Sequence, residues 1–212
     1  MPAVTTEGLI LKRSNFGEAD RVLTVLTDRY GKISVIAKGV RRITSRRAGN
    51  VELLNRVKLH LFKAKNYNLT EAESIETFPK LKENLTLSTT AFHILELIDR
   101  LTAEEQKSPK LYELSISIFR ILEQNPRQIF IRGFEVKILS LLGFWSINAI
   151  KELNEEQKNI LEKLEYQSWE KIGEIDIGPE QSDNLEKILR FYLEKILESS
   201  LKSVKVLKDL KK

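Results

Sequence analysis

Cysteine is absent from this 212-residue sequence, and histidine occurs only twice, at His60 and His93. Without cysteine the chain cannot form a disulfide, a thiolate-ligated zinc site or an iron–sulfur cluster, and it has no thiol nucleophile. No apolar run approaches the ~20 residues that a membrane-spanning helix needs. Residues 1–7 also lack the basic and apolar regions of a secretory signal. These absences lead us to expect a cytoplasmic protein.

Motifs of the common catalytic sites are also missing. The sequence contains no GxxxxGK[ST] phosphate loop, no GxGxxG after a strand, no HExxH and no GxSxG. Its carboxylates mostly alternate with lysines, as at Glu155, Lys158 and Glu162, and this pattern is typical of a solvated helix face. The sequence therefore predicts no catalytic residue and no enzyme activity.

Positive charge is concentrated in the N-terminal part of the chain. Residues 1–80 contain 15 Lys or Arg and 8 Asp or Glu, whereas residues 81–212 contain 20 basic and 22 acidic residues. The densest segment runs from Arg29 to Val51 and has no acidic residue between Asp28 and Glu52. Cations this close together repel one another unless an anion lies beside them. The first part of the chain therefore has the charge expected of a polyanion-binding domain.

Residues 1–80 show the alternation and the turn residues of short β-strands. Polar turns with glycine or asparagine separate the apolar runs, and the turn at residues 28–31 predicts a hairpin. Five short strands in a segment of this length predict a small β-barrel of the OB-fold class. The predicted strands cover residues 7–13, 21–27, 33–38, 57–63 and 67–75.

From Leu81 onward, apolar residues recur with the period of amphipathic helices. Residues 154–166 are predicted to form one of these helices, whereas residues 168–179 are predicted to be a loop with a short strand. The change of period predicts an α+β protein of two domains. An OB-fold barrel takes residues 1–80, and an all-α helical domain takes residues 81–212.

Polar residues before the apolar stripes predict where three helices begin. Ser-Pro at residues 108–109 and Asn-Pro at residues 125–126 each combine an N-cap with a proline suited to a first helical turn. Asp183 with Glu186 three residues later predicts the cap of a long final helix.

The basic segment is the part of the barrel best suited to a phosphate backbone. Arginine presents paired N–H donors to phosphate oxygens, and a basic loop can follow an irregular single strand. Candidates for the aromatic residues that usually accompany such a site are Phe16, Tyr30, Phe62 and Tyr67, and packing in the core or in a turn is the alternative for each. The predicted nucleic-acid-binding residues are Lys38, Arg41, Arg42, Arg46 and Arg47, with Lys12, Arg13 and Arg21 as weaker candidates. A surface loop that is charged only for solubility is the alternative.

Residues 7–42, EGLILKRSNFGEADRVLTVLTDRYGKISVIAKGVRR, resemble the N-terminal domain of the RecO family of bacterial DNA repair and recombination mediators. The segment from Leu201 to Leu207 looks like the closing helix of that family, and the middle helices fit the same plan. The resemblance lies in an ordered set of short motifs: Glu7-Gly8, Lys12-Arg13, Gly17 to Arg21, Gly31-Lys32, Ala37 to Gly39 and Arg41-Arg42.

This resemblance implies an OB-fold followed by a helical domain, and a role in DNA repair and homologous recombination through the RecF pathway. Members of the family bind single- and double-stranded DNA, anneal complementary strands and are not enzymes. With RecR they load RecA onto strands coated by the single-stranded DNA-binding protein, SSB. The resemblance therefore implies DNA, RecR and SSB as partners, a functional link to RecA, and a location beside the bacterial nucleoid.

Many members of the family carry a four-cysteine zinc site after the third helix, where this chain has residues 144–181 without cysteine. We therefore expect no zinc and no other cofactor. Packing around Trp145, Ile160, Leu164 and Trp169 is expected in its place.

The helical domain is the expected partner surface, because in the family it receives the acidic and apolar tail of SSB. The residues predicted to form its basic rim are Arg120, Arg127, Arg132 and Lys137, and ordinary helix-face charges are the alternative. From the residues alone, two further classes stay open. One is an RNA-binding OB-fold module of translation or RNA decay, and the other is a scaffold whose basic loop meets an acidic protein.

Overall fold

The computed structural model describes residues 3–151 and 153–198. The chain divides into two compact units, residues 1–116 and residues 117–212. Within the described ranges, no helix is both long enough and apolar enough to cross a membrane.

Five β-strands of the first unit close into a barrel, as the sequence predicts. The strands are β1 (Ala3–Phe16), β2 (Asp20–Thr27), β3 (Gly31–Ala37), β4 (Arg56–Lys63) and β5 (Tyr67–Glu76). The strand order around the barrel is β1-β2-β3-β5-β4, which returns to β1. The β3–β5 pair is parallel and the other pairs are antiparallel. A closed five-stranded barrel of this kind is the OB-fold architecture, so the predicted fold class is confirmed.

Strand β1 is much longer than its apolar run predicts, because different parts of it pair with two neighbouring strands. Its residues Ala3 to Leu9 pair with β4, and its residues Gly8 to Phe16 pair with β2. The register shifts between Ile10 and Lys12, where a bulge bends the strand from one neighbour to the other. The alternating side chains that point inward are fully buried and form the barrel core, which includes Ile10, Leu23, Val25, Ile33, Val35, Val57, Leu59 and Leu61.

Helices follow the barrel, as the sequence predicts. In the first unit they are α1 (Pro79–Glu83) and α2 (Leu85–Leu101), and α3 (Pro109–Gln124) contains the division between the units. Ser108 caps α3 as predicted, since its Oγ accepts a hydrogen bond from the Leu111 N–H at 3.4 Å. The second unit contains α4 (Gln128–Leu141), a 3₁₀ turn (Ile147–Ala149), α5 (Glu155–Tyr166), α6 (Trp169–Gly173) and α7 (Pro179–Leu197).

Two predicted helix starts are wrong. Helix α4 begins after Arg127 rather than at the Asn-Pro pair of residues 125–126. Helix α7 begins at Pro179 rather than at Asp183, because proline fits a first helical turn and the Gln181 side chain accepts a hydrogen bond from the Gly178 N–H at 2.9 Å. The predicted closing helix at residues 201–207 lies outside the described residues.

The short strand predicted within residues 168–179 is also wrong. Helix α6 takes residues 169–173, and residues 174–178 form a turn and an irregular connection to α7, in keeping with the predicted loop. Ile172 of α6 is fully buried, and the Trp169 ring packs edge-on against Phe130 of α4 with 6.3 Å between centroids. One helical turn places both side chains on α4, whereas an extended strand would point neighbouring side chains to opposite faces.

Arg56 of β4 links its own strand to the two neighbouring strands, β1 and β5. Its guanidinium donates to Glu7 of β1 at 2.6 Å and to Glu76 of β5 at 2.8 Å. Its Nε also donates to the Tyr112 hydroxyl at 3.3 Å. Burial raises the pKa of Tyr112 to about 12, although the nearby Arg56 opposes part of this rise.

Raising the pH from 8 to 11 is expected to lower the free energy of unfolding through Tyr112 by about 1.4 kcal/mol. Because the pKa of Tyr112 is raised in the folded state, the stability that the protonated Tyr112 contributes is fully present below the ordinary tyrosine pKa. It is lost as the pH rises toward the folded-state value. We expect the stability difference between wild type and Tyr112→Phe to shrink by this amount over that interval, as measured by urea unfolding followed by circular dichroism. An unchanged difference would contradict the assignment.

Candidate nucleic-acid interface

Residues 38–55, which connect β3 to β4, form a loop that we call the basic loop. Its backbone folds into successive turns, in which the Arg42 N–H donates to the Gly39 carbonyl at 3.2 Å and the Ser45 N–H donates to the Arg42 carbonyl at 2.9 Å. Val40 and Val51 are fully buried and belong to the barrel core. The basic loop is therefore an ordered part of the barrel, with a fixed path.

Polar side chains fix the basic loop to neighbouring strands. The Asp20 carboxylate of β2 accepts a hydrogen bond from the Gly39 N–H at 2.7 Å. At the other end of the loop, the Asn50 side chain donates to the Ala72 carbonyl of β5 at 2.8 Å, and the buried Asn55 donates to the Asn50 carbonyl at 3.0 Å. The loop is thus held at both ends, so its cations keep their places on the surface.

Four of the predicted residues, Lys38, Arg41, Arg42 and Arg46, are exposed on the basic loop. An open depression of about 510 Å³ lies beside three of them and is lined by Asp20, Lys38, Gly39, Arg42, Thr44, Ser45, Arg46 and Arg47. The lining thus includes four cationic side chains and one carboxylate. Such a concave cationic surface concentrates anions and offers N–H donors to phosphate oxygens.

Arg47 and Arg41 also hold the loop in place. The Arg47 guanidinium donates to the carbonyls of Lys38, Leu69 and Thr70 at 2.9 to 3.2 Å, so it joins the basic loop to β5. The Arg41 guanidinium donates to the Gly17 carbonyl at 3.2 Å. Arg47 therefore adds positive charge to the depression while its hydrogen bonds shape the loop.

The weaker candidates on the strands differ from one another. Lys12 is exposed on β1, whereas Arg13 and Arg21 are half-buried and share the carboxylate of Glu52. The Arg21–Glu52 distance is 3.2 Å. A phosphate would have to compete with Glu52 for these two arginines. Sequence reasoning missed Glu52 because it follows the basic segment and reaches Arg13 and Arg21 only in the folded barrel.

Of the four candidate stacking residues, Phe16 is the most open. The Tyr67 ring is buried, lies 6.1 Å from the Tyr30 ring between centroids, and its hydroxyl accepts a hydrogen bond from Lys63 at 2.9 Å. Phe62 is half-buried, whereas 57% of Phe16 is exposed at the end of β1. The tyrosines serve the packing of the barrel, and Phe16 is available for contact with a ligand.

In the second unit, Arg127 and Lys137 of the predicted partner rim bind the ends of other helices. The Arg127 guanidinium donates to the Ile175 carbonyl after α6 at 3.0 Å. Lys137 donates to the Glu165 and Gln167 carbonyls at the end of α5 at 3.0 and 2.7 Å, and burial lowers its pKa. These cations satisfy carbonyls that a helix end leaves without a partner.

The other two residues of the predicted rim lie in contrasting surroundings. Arg132 is buried and pairs at 2.8 Å with Glu135, one turn further along α4. Arg120 is exposed on α3. Arg127, Arg132 and Lys137 thus make structural contacts within the unit. A role in binding another protein stays a prediction for all four residues.

Residues 144–181 do not offer the ligands of a four-thiolate zinc site, because the chain has no cysteine. No group of three or more His, Cys, Asp or Glu side chains is placed to hold a metal ion in the part of the chain that the structure describes. Instead, Glu165 accepts hydrogen bonds from the Trp145 indole and the Ser140 hydroxyl, both at 2.9 Å. The Tyr192 ring packs edge-on against Trp145 with 5.2 Å between centroids. Ile160 and Leu164, which the sequence predicts in this packing, are buried.

Comparison with known proteins gives matches along most of the chain. The family model described as "Recombination protein O N terminal" matches residues 1–78, and "Recombination protein O C terminal" matches residues 82–145. The DNA repair protein RecO of Dehalococcoides mccartyi is 31% identical over 94% of this chain and 80% of its own length. The RecO proteins of Roseiflexus sp. and Listeria monocytogenes serotype 4b are 28% and 27% identical over 97% of this chain, and over 85% and 94% of their own lengths.

Proposed function

Because this chain belongs to the RecO family, whose compared members are named DNA repair proteins, we propose that it is a DNA-binding mediator of repair and recombination. The observation that carries the DNA-binding part is the ordered basic loop, on which Lys38, Arg42 and Arg46 are exposed around an open depression. Arg41 is exposed on the same loop.

The mode of binding follows from the chemistry of the loop. Arginine and lysine contacts to phosphate fix a strand in position but carry no information about base sequence. A strand held by its backbone keeps its base edges free for pairing with a complement, and a cationic surface reduces the repulsion between two strands. The loop therefore supports annealing of complementary strands with little sequence preference.

The finer parts of the proposal concern partners. We propose that the protein acts on strands coated by SSB, works with RecR and thereby helps RecA to load. The basic charge of the first unit supports the contact with DNA. In the predicted rim, Arg120 is exposed at the surface of α3. RecR and RecA enter the proposal through family membership.

A salt series tests the contact with DNA. If Lys38, Arg41, Arg42 and Arg46 each neutralise one phosphate, the logarithm of the dissociation constant for single-stranded DNA should rise with the logarithm of salt concentration with a slope of about 3. Fluorescence anisotropy on oligonucleotides of equal length and different sequence gives the slope and the sequence preference together. A flat salt response, or a strong preference for one sequence, would contradict backbone binding.

Annealing of SSB-coated complementary oligonucleotides, followed by fluorescence energy transfer, tests the mediator role. The protein is expected to accelerate annealing of the coated strands. If the protein binds DNA but does not accelerate annealing of the coated strands, the mediator role is contradicted and only the DNA-binding part of the proposal stands.

A further inference from the structure

We propose that Phe16 and Ile43 form an apolar contact site for the unpaired bases of single-stranded DNA, next to the cations that hold its phosphates. This inference rests on the proposed function and deepens it, because it states which part of the strand the protein contacts besides its backbone.

Both side chains are unusually open to solvent. Ile43 shows 104% of its reference surface area and Phe16 shows 57%. Ile43 follows Arg42 in the basic loop, and Phe16 is the last residue of β1. Single exposed apolar residues are common on protein surfaces and need no explanation. What sets these two apart is their position relative to exposed cations: Ile43 lies within the basic loop directly after Arg41 and Arg42, and Phe16 directly precedes Gly17, whose carbonyl accepts from Arg41.

Hydrogen bonds join the segments that carry the two side chains. The Arg41 N–H donates to the Ala19 carbonyl at 2.9 Å, and the Arg41 guanidinium donates to the Gly17 carbonyl at 3.2 Å. The turn after Phe16 is thus fixed to the part of the basic loop that leads into Ile43. Phe16 and Ile43 therefore lie on two segments that Arg41 joins, one residue before Gly17 and two residues after Arg41.

The combination of charge and apolar surface indicates which ligand the site binds. Single-stranded DNA offers regularly spaced phosphates together with flat apolar base faces, and stacking of one base on an aromatic side chain contributes about 1–3 kcal/mol. In a duplex the base faces are already stacked on one another, so Phe16 and Ile43 have nothing to cover. The site therefore favours single strands over duplex, whereas the arginines alone would bind both.

The test compares the double variant Phe16→Ala/Ile43→Ala with wild type on three probes: a single-stranded oligonucleotide, a strand of the same length built from abasic sites, and a duplex. We expect about tenfold weaker binding of the normal single strand. Binding of the abasic strand and of the duplex should be nearly unchanged, and the salt slope should stay as in wild type. The matched control is Leu85→Ala/Phe92→Ala, which removes two exposed apolar side chains from α2 in the same unit and should leave all three affinities unchanged.

Several results would overturn the proposal. One is an equal loss of affinity on the abasic strand, which would mean that the two residues act through the backbone. Another is an unchanged affinity for the normal strand. A third is competition by a polyglutamate peptide that the double variant abolishes, which would assign the site to an acidic protein. If wild type shows no salt-dependent binding of any strand, the proposed function itself is wrong. That result can be told apart from the three above, because in each of those wild type does bind DNA.

Stacking can also be observed directly. A fluorescent adenine analogue within the strand should be quenched when wild type binds, and quenching should be lost in the double variant at protein concentrations that saturate the strand. Quenching that persists in the saturated double variant would overturn the proposal. Circular dichroism checks that the variants fold, which we expect because both replaced side chains are exposed.

Discussion

Gly31→Ala is expected to destabilise the first unit by about 3–5 kcal/mol, enough to unfold a marginally stable domain. Gly31 begins β3 and has a φ of 70°, a backbone conformation that costs an L-residue about 1–2 kcal/mol. A Cβ at this position would also lie 2.2 Å from the carbonyl oxygen of Gln106. Since that is far inside van der Waals contact, either the turn or the segment around Gln106 would have to move.

Neither segment can move without losing further contacts. The Glu105 N–H donates to the Lys32 carbonyl at 2.8 Å, and the Lys32 ammonium forms an ion pair with Asp99 at 3.3 Å. On the barrel side, the buried Thr27 hydroxyl donates to the Gly31 carbonyl at 2.8 Å. A shift that relieves the clash would therefore break hydrogen bonds that are partly shielded from water.

Gly17→Ala is the matched control for Gly31→Ala. Gly17 has a φ of 57°, but a Cβ there would have no neighbour within 4 Å. This variant therefore isolates the backbone cost of about 1–2 kcal/mol from the clash. Both tryptophans, Trp145 and Trp169, lie in the second unit, so unfolding of the barrel is followed by hydrogen exchange of barrel amides rather than by tryptophan fluorescence. Equal destabilisation by the two variants would show that contact with Gln106 is unimportant.

The triple variant Arg41→Ala/Arg42→Ala/Arg46→Ala is expected to bind single-stranded DNA about 50-fold more weakly at 0.15 M salt. The estimate follows from counterion release, because each lost phosphate contact removes about 0.7 from the salt slope. The contribution of counterion release to affinity vanishes when the salt concentration is extrapolated to 1 M. At 0.15 M, each phosphate contact therefore contributes about 0.6 to the decimal logarithm of the affinity. The loss should be uniform across sequences, and the slope should fall by about 2.

The matched control replaces three exposed cations elsewhere in the same unit, as Arg29→Ala/Lys65→Ala/Lys110→Ala. Net charge falls by the same amount in both variants, so long-range attraction is reduced to a similar degree. If both variants weaken binding equally, DNA responds to overall charge and the basic loop is not its site. If only the loop variant weakens binding, annealing of SSB-coated strands should slow with it.

The barrel was predictable because its signals are local. Alternating runs and turns marked by Gly31 or Asn66 define strands without knowledge of the rest of the chain. The full length of β1 was not predictable, because residues 3–6 are in a strand only through pairing with β4, far along the chain. Residues 14–16 pair with β2 although Ser14 and Asn15 are residue types typical of a turn. Helix α6 escaped prediction for a similar reason, since it is stabilised by the contact of Trp169 with Phe130 rather than by its own sequence.

The charges of the candidate site could be read from the sequence, but their partners could not. Lys38 and Arg42 are exposed on the loop as their spacing suggests, whereas Arg47 donates to carbonyls of β5. Arg13 and Arg127 likewise have partners in distant segments. A count of cations therefore locates the basic surface but cannot separate the residues that hold the fold from those free to meet a ligand.

The pairing of β1 with β4 bears on the order in which the protein can fold during its synthesis. Ala3 pairs with Phe62 and Leu9 pairs with Arg56, so about 50 residues separate the partners. At ordinary translation rates, roughly 3–10 s pass between synthesis of the first strand and arrival of its second neighbour. Throughout this interval one edge of β1 is unpaired and the barrel interior is open to water. The period in which this protein is most exposed to aggregation therefore falls on the ribosome, before the fourth strand has emerged.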